Sequence, residues 1–220
     1  MEQVASALGY GVRTLRDAIA KDRYQLDLRT SLEQIIQVIA DTVDQRDPYT
    51  AGHQRRVAEL CVRIADKMSL ESERIRGLHL AASIHDVGKI GVPAEILAKP
   101  GLLTPTQYGL IKEHPQLGYE LVKNVLFPWP IAEMIRQHHE HIDGSGYPQG
   151  LAGEAILIES RILTVADVVE AISTHRPYRP ARGIAFALEE ILRGRGTAYD
   201  PDVVDACIRV FREDGYVFSA

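Results

Sequence analysis

Two short segments of this chain hold most of the side chains that could bind metal ions. The first is His85-Asp86, with a lysine at position 89, and the second is His138-His139. Imidazole and carboxylate groups at neighbouring positions bring several hard and borderline ligands within reach of one point. A cluster of this kind suits two divalent cations that hold a water molecule between them. The sequence therefore indicates a binuclear metal centre.

Histidines and an aspartate on apolar helical faces strengthen this interpretation. A single histidine on such a face is more often a hydrogen-bonded core residue than a ligand, but here that explanation would be needed repeatedly. His53 begins one apolar stripe, His85 ends another, and His138 follows Ile135 by about one turn. Asp167 lies on a further stripe, where an unpaired buried carboxylate would cost several kcal/mol. Metal coordination would offset that cost.

The ligand types also limit the choice of metal. Imidazole and carboxylate without thiolate suit Fe and Mn, with Ni, Co or Zn as alternatives, and argue against a structural zinc site of the cysteine type. Adjacent residues on a helix point about 100° apart. The pair His85-Asp86 is therefore expected to face two metals, with the carboxylate bridging them, and His138-His139 is expected to serve the second metal.

Helices must position these residues, because apolar residues recur at helical spacing along nearly the whole chain and no convincing period-two stretch occurs. Gly88 is expected to break the helix that leads into His85, and Thr104-Pro105 is expected to open another as N-cap and N1. The sequence predicts an all-α bundle. The expected helices are Leu32–Val43, Val57–Met68, Leu78–His85, His114–Val125, Ile131–His139, Ile156–Ile172, Ile184–Leu192 and Val203–Phe211.

The first 28 residues differ in character from residues 29–220. Apolar residues there follow four- and three-residue steps, at Leu8, Val12, Leu15, Ile19 and Leu26. This pattern resembles a short coiled-coil seam, which is compatible with a homodimer. An amphipathic helix packed on its own domain is the alternative. We therefore expect a helical linker or dimerisation segment at 1–28 and a single domain at 29–220.

Composition excludes several classes of partner. Lys+Arg 25 against Asp+Glu 30 gives a net charge of -5, so no overall positive field attracts a nucleic-acid polymer. A polyanionic substrate would need bound metal and a local arginine cluster. Because no apolar run reaches transmembrane length and the N-terminus lacks a signal-peptide pattern, we expect a cytoplasmic protein without membrane contact. Cys61 and Cys207 are expected to be buried free thiols.

These motifs resemble those of the HD-GYP domain, a branch of the HD phosphohydrolase superfamily. The resemblance runs from about Thr30 to about Tyr216 and includes the GSGYP string at 144–148. It implies an HD-domain helical bundle with additional C-terminal helices and a metal centre that hydrolyses cyclic di-GMP. Asp86 would bridge the metals. Carried over by motif, the ligands would be His53, His85, Asp86, His114, His138, His139 and Asp167.

The sequence departs from the family's pattern at three places. Some members carry a glutamate four residues before the first histidine, where it helps to bind a third metal. Tyr49 stands at that position, so we expect two metals rather than three. Glu170 to Ser173 replace the usual Asp-Ala-Leu-Thr, and His141 stands where an arginine is common. Neither of these two changes is expected to touch a ligand, and His141 is expected on the solvent side.

The resemblance also implies a mechanism and a set of substrate contacts. A hydroxide bridging the metals would attack the phosphodiester in line, with Asp86 and Lys89 as catalytic residues. Lys89 would neutralise a phosphoryl oxygen, although a lysine near a helix C-terminus also has a purely structural explanation. Substrate contacts are expected from Lys89, Tyr147, Arg176 and Arg179, because guanidinium groups match phosphates and stack on purines. For Arg179 a solvated surface turn is the alternative.

The expected reaction converts cyclic di-GMP to linear pGpG or to GMP. One alternative is a phosphodiesterase for another cyclic dinucleotide, such as a mixed GMP-AMP ring. Others are a metal-loaded sensor with slow turnover, which signals through the N-terminal helix or the loop at 144–148, and a nucleotide phosphomonoesterase. The resemblance is also compatible with an upstream sensor or receiver domain and with partner proteins at that loop.

Overall fold

The structure is a computed structural model that describes residues 2–46, 52–99, 101–174 and 182–219. Within these ranges the chain forms helices joined by loops, and its strand-like pairings are two isolated bridges. The prediction of an all-α fold is confirmed. Two 3-10 turns are Val87–Gly91 and Gly153–Ala155. The α-helices of the described ranges are α1 (Glu2–Arg46), α2 (His53–Lys67), α3 (Ser72–Ser83), α4 (Ala94–Leu97), α5 (Pro105–Ile111), α6 (His114–Val122), α7 (Ile131–Gln137), α8 (Ile158–Ser173), α9 (Gly183–Arg193) and α10 (Pro201–Arg212).

One hydrophobic core joins α2, α3, α8, α9 and α10. Each buried leucine, isoleucine or valine there contributes about 1.5–3 kcal/mol to the free energy of unfolding. Cys61 and Cys207 lie in this core as buried free thiols, as predicted. Two of the predicted metal ligands are attached to the same core, because His53 begins α2 and Asp167 lies within α8. The apolar packing thus fixes the backbone from which these ligands project.

Helix α1 runs without interruption through the expected boundary at residues 28 and 29. The chain divides into two compact units, Met1–Val38 and Ile39–Ala220. Ile19 and Leu26 of the predicted seam are exposed, whereas the side chains of the other seam residues lie outside the described part. The homodimer stays a prediction. Across the described ranges, every helix is too short or too polar to cross a bilayer.

The start of α5 follows the prediction from Thr104-Pro105. The Thr104 hydroxyl accepts a hydrogen bond from the backbone N–H of Gln107 at 3.3 Å, and the Gln107 side chain accepts one from the backbone N–H of Thr104 at 3.0 Å. This reciprocal capping box satisfies two N–H groups that the first turn leaves unpaired.

Both pairs of predicted metal ligands lie beyond the ends of helices, which corrects the expectation that they lie within them. α3 ends at Ser83, so His85 and Asp86 occupy the turn before Val87–Gly91. α7 likewise ends one residue before His138. Hydrophobic periodicity locates a helix well, but it does not define the last residue.

Gly88 has a different role from the predicted helix breaker. A Cβ atom at this position would lie 1.9 Å from the carbonyl oxygen of His114 and 2.5 Å from the backbone nitrogen of Gly118. The absence of a side chain therefore lets the backbone of α6 approach the turn that carries Asp86. This close approach brings His114 to the same place as His85 and Asp86.

We expect Gly88→Ala to lower the free energy of unfolding by about 1–3 kcal/mol, because the added methyl group must push α6 away. Urea unfolding followed by circular dichroism measures the change. Gly109→Ala in α5 is the matched control, since a Cβ there meets nothing within 4 Å. The control should unfold no earlier than the parent protein, because alanine is the better helix former. Equal stability of Gly88→Ala and the parent would contradict the proposed contact.

Candidate metal centre

Six side chains form two groups, each compact enough to hold one ion. Within each group, the imidazole nitrogens and carboxylate oxygens lie within 4.8 Å of one another. Asp167 adjoins the first group, with its Oδ1 3.2 Å from His53 Nε2 and 4.0 Å from His85 Nε2. The structure therefore brings together all seven residues predicted as ligands. The first group is His53, His85 and Asp86, and the second group is His114, His138 and His139.

Asp86 lies between the two groups and points one carboxylate oxygen at each. Its Oδ1 is 3.2 Å from His114 Nε2 in the second group. Its Oδ2 is 3.6 Å from His85 Nε2 and 4.0 Å from His53 Nε2 in the first group. This is the arrangement that a bridging carboxylate requires, and it arises from a turn rather than from the side of a helix.

Three of the histidines are oriented by backbone carbonyls in the last turn of a helix. His85 Nδ1 is 2.7 Å from the carbonyl oxygen three residues earlier in α3. His114 and His138 make the same contact with α5 and α7, at 2.7 Å and 2.6 Å. Carbonyls in a last helical turn have no intrahelical partner, so they readily accept such bonds. Each Nδ1 therefore carries the proton and each Nε2 directs its lone pair into the centre. The accepting residues are Ala82, Ile111 and Ile135.

The placement of these lone pairs fits a bound cation. His114 Nε2 and His138 Nε2 are 3.1 Å apart, although both Nδ1 atoms already hold the ring protons. Two nitrogens coordinated to one ion at about 2.1 Å, with angles of about 90–109°, are separated by about 3.0–3.4 Å. In addition, His85 Nε2 is buried and has no hydrogen-bond partner among the described residues. The donor set is thus one that a divalent metal would satisfy.

Burial and charge hold most of the cluster in its metal-binding protonation state. Burial, with the neighbouring imidazole of His114, lowers the pKa of His139 to about 3. Burial also lowers the pKa of His138. For Asp86, burial alone would raise the pKa, but Lys89 and the adjacent imidazoles outweigh it and hold the pKa well below its ordinary value. At neutral pH His138 and His139 are therefore neutral imidazoles and Asp86 is ionised, as coordination requires.

Lys89 contacts the centre directly. Its Nζ lies 2.6 Å from Asp86 Oδ2, and its side chain is largely buried. It belongs to the turn Val87–Gly91 rather than to the end of an α-helix, which weakens the explanation from the helix dipole. The ammonium group is therefore within reach of anything bound between Asp86 and the first group.

Glu170 is a residue of the site that the sequence analysis missed. Its Oε2 accepts a short hydrogen bond from His53 Nδ1, and its Oε1 lies 2.8 Å from Arg56 Nε. The expectation that the substitution at 170 touches no ligand was therefore wrong. The sequence did contain a signal that Glu170 belongs to the site, because Asp167 and Glu170 are three residues apart and share one face of α8.

The loop after the histidines packs on His139. The Tyr147 ring stacks on the His139 ring, with 4.8 Å between centroids and an interplanar angle of 28°. The backbone N–H of Tyr147 also donates to the His139 carbonyl at 3.0 Å. A Cβ at Gly146 would lie 2.4 Å from the backbone nitrogen of His141, so the loop needs a glycine there to lie this close. Tyr147 is thus placed beside the second group, and its expected contact with the substrate stays a prediction.

Buried Glu140 closes the base of this loop. Its two carboxylate oxygens accept hydrogen bonds from the backbone N–H groups of Gln149 at 2.7 Å and Leu151 at 3.0 Å. This role of Glu140 was not predicted, because a single acidic residue between histidines gives no signal for it. His141 lies outside both ligand groups and contacts Ser145, in agreement with the expected solvent-side position.

Lys112 adds a positive charge beside the loop. Its Nζ lies 4.9 Å from the centroid of the Tyr147 ring and 5.1 Å from that of Tyr108. These are cation–π distances. Nothing in the sequence pattern links α5 to the loop, so this neighbour was not predicted. Tyr49, Arg176 and Arg179 lie outside the described residues, and the roles expected of them stay predictions.

Known proteins resemble this chain over most of its length. The cyclic di-GMP phosphodiesterase response regulator RpfG of Xanthomonas campestris is 40% identical over 173 residues, covering 78% of this chain and 46% of the relative. A cyclic di-GMP phosphodiesterase of Thermotoga maritima is 36% identical over 184 residues, covering 83% of this chain and 50% of the relative. The chain spans about half the length of these curated relatives.

A solved structure and a family match agree with the observed fold. The crystal structure of a cyclic GMP-AMP-specific phosphodiesterase from Vibrio cholerae aligns with a TM-score of 0.55 and 31% identity, over 84% of this chain and 42% of that chain. The family described as HD domain matches residues 37–203. The chain therefore belongs to the HD domain family, in the HD-GYP branch that its motifs indicate.

Proposed function

We propose that this chain is a metal-dependent phosphodiesterase that hydrolyses cyclic dinucleotides, with cyclic di-GMP as substrate and pGpG or GMP as product. The observation that carries the proposal is the pair of ligand groups joined by the two oxygens of Asp86. Two adjacent ions suit phosphodiester hydrolysis, because they stabilise both the attacking and the leaving oxygen. Similarity to proteins named for cyclic dinucleotide phosphodiesterases supports the substrate class.

Two divalent ions, Fe or Mn, are the proposed cofactors. The first group with Asp167 would hold one ion, and the second group with Asp86 Oδ1 would hold the other. Imidazole and carboxylate donors support these metals. When bound, such ions act as Lewis acids and lower the pKa of a water molecule enough to make it a nucleophile near neutral pH.

Lys89 is the proposed electrostatic partner of the reacting phosphate. Its ammonium group already lies against Asp86 Oδ2, so its charge is fixed at the junction of the two groups. A phosphoryl oxygen at this junction gains negative charge as the attacking oxygen bonds to phosphorus, and the leaving oxygen takes up that charge as its own bond breaks. A preorganised cation at that point stabilises the transition state more than the ground state.

Tyr147 and Lys112 are the proposed contacts for the rest of the substrate. The aromatic ring offers a surface on which a guanine can stack. Burial raises the pKa of Tyr147, so its hydroxyl stays neutral and is available to donate a hydrogen bond to a phosphate oxygen. The Lys112 ammonium beside this ring would attract the second phosphate. Arg176 and Arg179, which lie outside the described residues, are proposed to bind the same phosphate and its base.

The first experiment tests turnover together with base preference. Anaerobically purified protein is loaded with Mn or Fe(II) and given cyclic di-GMP or 3'3'-cyclic GMP-AMP in parallel, and the products are separated by chromatography. We expect pGpG or GMP from cyclic di-GMP with the wild type and no product with Asp86→Ala, because the variant lacks the carboxylate between the two groups.

The other outcomes each contradict a part of the proposal. Faster hydrolysis of the mixed ring would move the substrate assignment to cyclic GMP-AMP. Tight binding of cyclic di-GMP without product would favour a sensor. An active Asp86→Ala variant would remove the bridging role of that carboxylate.

Lys89→Ala is expected to lower kcat by about 100-fold or more while the protein keeps two ions per chain, because the lysine acts on the substrate. Steady-state kinetics and elemental analysis of the same preparations measure both quantities. Lys123→Ala is the control, since Lys123 is a surface residue paired with Glu120, and it should match the wild type. Loss of ions from Lys89→Ala would instead assign Lys89 to the support of Asp86.

Metal binding by the first group is expected to release a proton from His53. Burial alone would lower the pKa of His53, but hydrogen bonds to Asp167 and Glu170 outweigh it and raise the pKa to about 9. An ion must therefore displace this proton below pH 9. The apparent affinity for one of the two ions should rise about tenfold per pH unit between about pH 6 and 9.

Calorimetric titration in buffers of different ionisation enthalpy counts the protons released. His139, whose pKa is about 3, provides the internal control, because it should release none in this range. A pH-independent affinity for both ions would refute the assignment of the proton to His53.

A further inference from the structure

His53 is held differently from the other oriented histidines of the centre. The Nδ1 atoms of His85, His114 and His138 face neutral backbone carbonyls. His53 Nδ1 instead donates to the carboxylate of Glu170. A carboxylate partner fixes the ring as firmly as a carbonyl does, and it also increases the electron density on the nitrogen that faces the metal.

Burial and the neighbouring Arg56 hold Glu170 in this contact. The residue is 0% exposed, so its charge must be balanced within the protein. Arg56, one turn after His53 on α2, binds Oε1 with Nε at 2.8 Å and with its second terminal nitrogen at 2.7 Å. Oε2 is left to His53. A purely structural glutamate–arginine pair would not need the imidazole.

A second pair on the same helix shows what such a structural pair looks like. Glu159 of α8 is also buried, and its Oε1 lies 2.7 Å from Arg74 Nε. No histidine ligand of the centre is among the contacts that the structure gives for Glu159. The two glutamates thus have equal charge, similar burial and an arginine partner, and they differ in the contact with a ligand.

The two metal positions also differ in their own charge. Asp86 lies between both groups, so the first position differs by the carboxylate of Asp167, and Glu170 adds a further negative charge that contacts His53. The second group consists of three imidazoles. Carboxylate donors favour hard divalent ions, whereas imidazoles favour borderline ones.

We infer that Glu170, held by Arg56, is a positioning residue that acts through His53 and strengthens metal binding by the first group. This inference rests on the proposed metal centre, but not on any particular substrate. Removal of the Glu170 charge should therefore weaken the binding of one ion and leave the binding of the other unchanged.

The test compares Glu170→Gln with Glu159→Gln in the full chain. Mn(II) binding is measured by competition with a chromogenic chelator at several pH values up to about 9, so that competition from the His53 proton is separated from the loss of positioning. Bound metal is counted by elemental analysis after dialysis, without nucleotide. We expect two ions for the wild type and for Glu159→Gln. For Glu170→Gln we expect a loss of about 10–100-fold in affinity for one ion, with the second retained. Wild-type affinity for both ions, or equal weakening of both, would overturn the inference.

A double-mutant cycle with His53→Ala separates positioning from general stability. If Glu170 acts through His53, Glu170→Gln in the His53→Ala background should cause no further loss of metal affinity. Additive losses would overturn the inference. Should Glu170→Gln fail to fold, Glu170→Asp against Glu159→Asp gives the same comparison, because the shorter carboxylate keeps its charge but withdraws from His53.

Metal binding and turnover are measured separately, so the inference and the proposed function can be refuted independently. If Glu170→Gln loses affinity for one ion while the wild type binds two ions but hydrolyses no cyclic dinucleotide, the proposed function is removed and this inference is kept. Turnover of cyclic di-GMP by Glu170→Gln with two ions bound as in the wild type would remove the inference and keep the function.

Discussion

Convergence of unshared lone pairs is the physical constraint around which this protein is arranged. Five imidazoles and two carboxylates approach one another in two groups, and the Nε2 atoms of His114 and His138 lie 3.1 Å apart. Nitrogens this close repel each other where no proton or cation lies between them, so the cluster persists because packing holds the backbone or because cations bind. The core of α2, α3, α8, α9 and α10 provides the first of these conditions. A pair of divalent ions would provide the second, and it would convert the repulsion into coordination.

Backbone geometry, more than side-chain packing, aims the ligands at one another. Gly88 permits α6 to approach the turn that carries Asp86. Gly52, with a φ of 69°, adopts the left-handed conformation that glycine tolerates and leads into α2 at His53. The ligands sit at helix ends or in the turns beyond them, apart from Asp167 within α8. Helix ends offer unpaired carbonyls and abrupt changes of direction, and both features help to collect ligands from distant parts of the chain.

The sequence predicted the helices and the seven clustered residues better than it predicted their surroundings. Apolar spacing is a strong signal for helices, and the motifs around His85 and His138 are specific, so the all-α fold is confirmed and the expected ligands do meet. The ends of α3 and α7 were misplaced, because a helix ends where its backbone hydrogen bonds end and periodicity carries no information on that. Glu170 and Lys112 were missed since their roles depend on contacts between helices far apart in sequence.

The three carbonyl oxygens that orient His85, His114 and His138 have a consequence for how the sequence can vary. They belong to Ala82, Ile111 and Ile135, whose side chains have no chemistry in common with a metal site. What the centre requires of these positions is a main-chain oxygen at a fixed distance along the chain before each histidine. Many apolar residues can satisfy that requirement, whereas an insertion or deletion of one residue cannot. The centre thus tolerates substitutions at these helix ends, but it does not tolerate a change in the number of residues before each histidine.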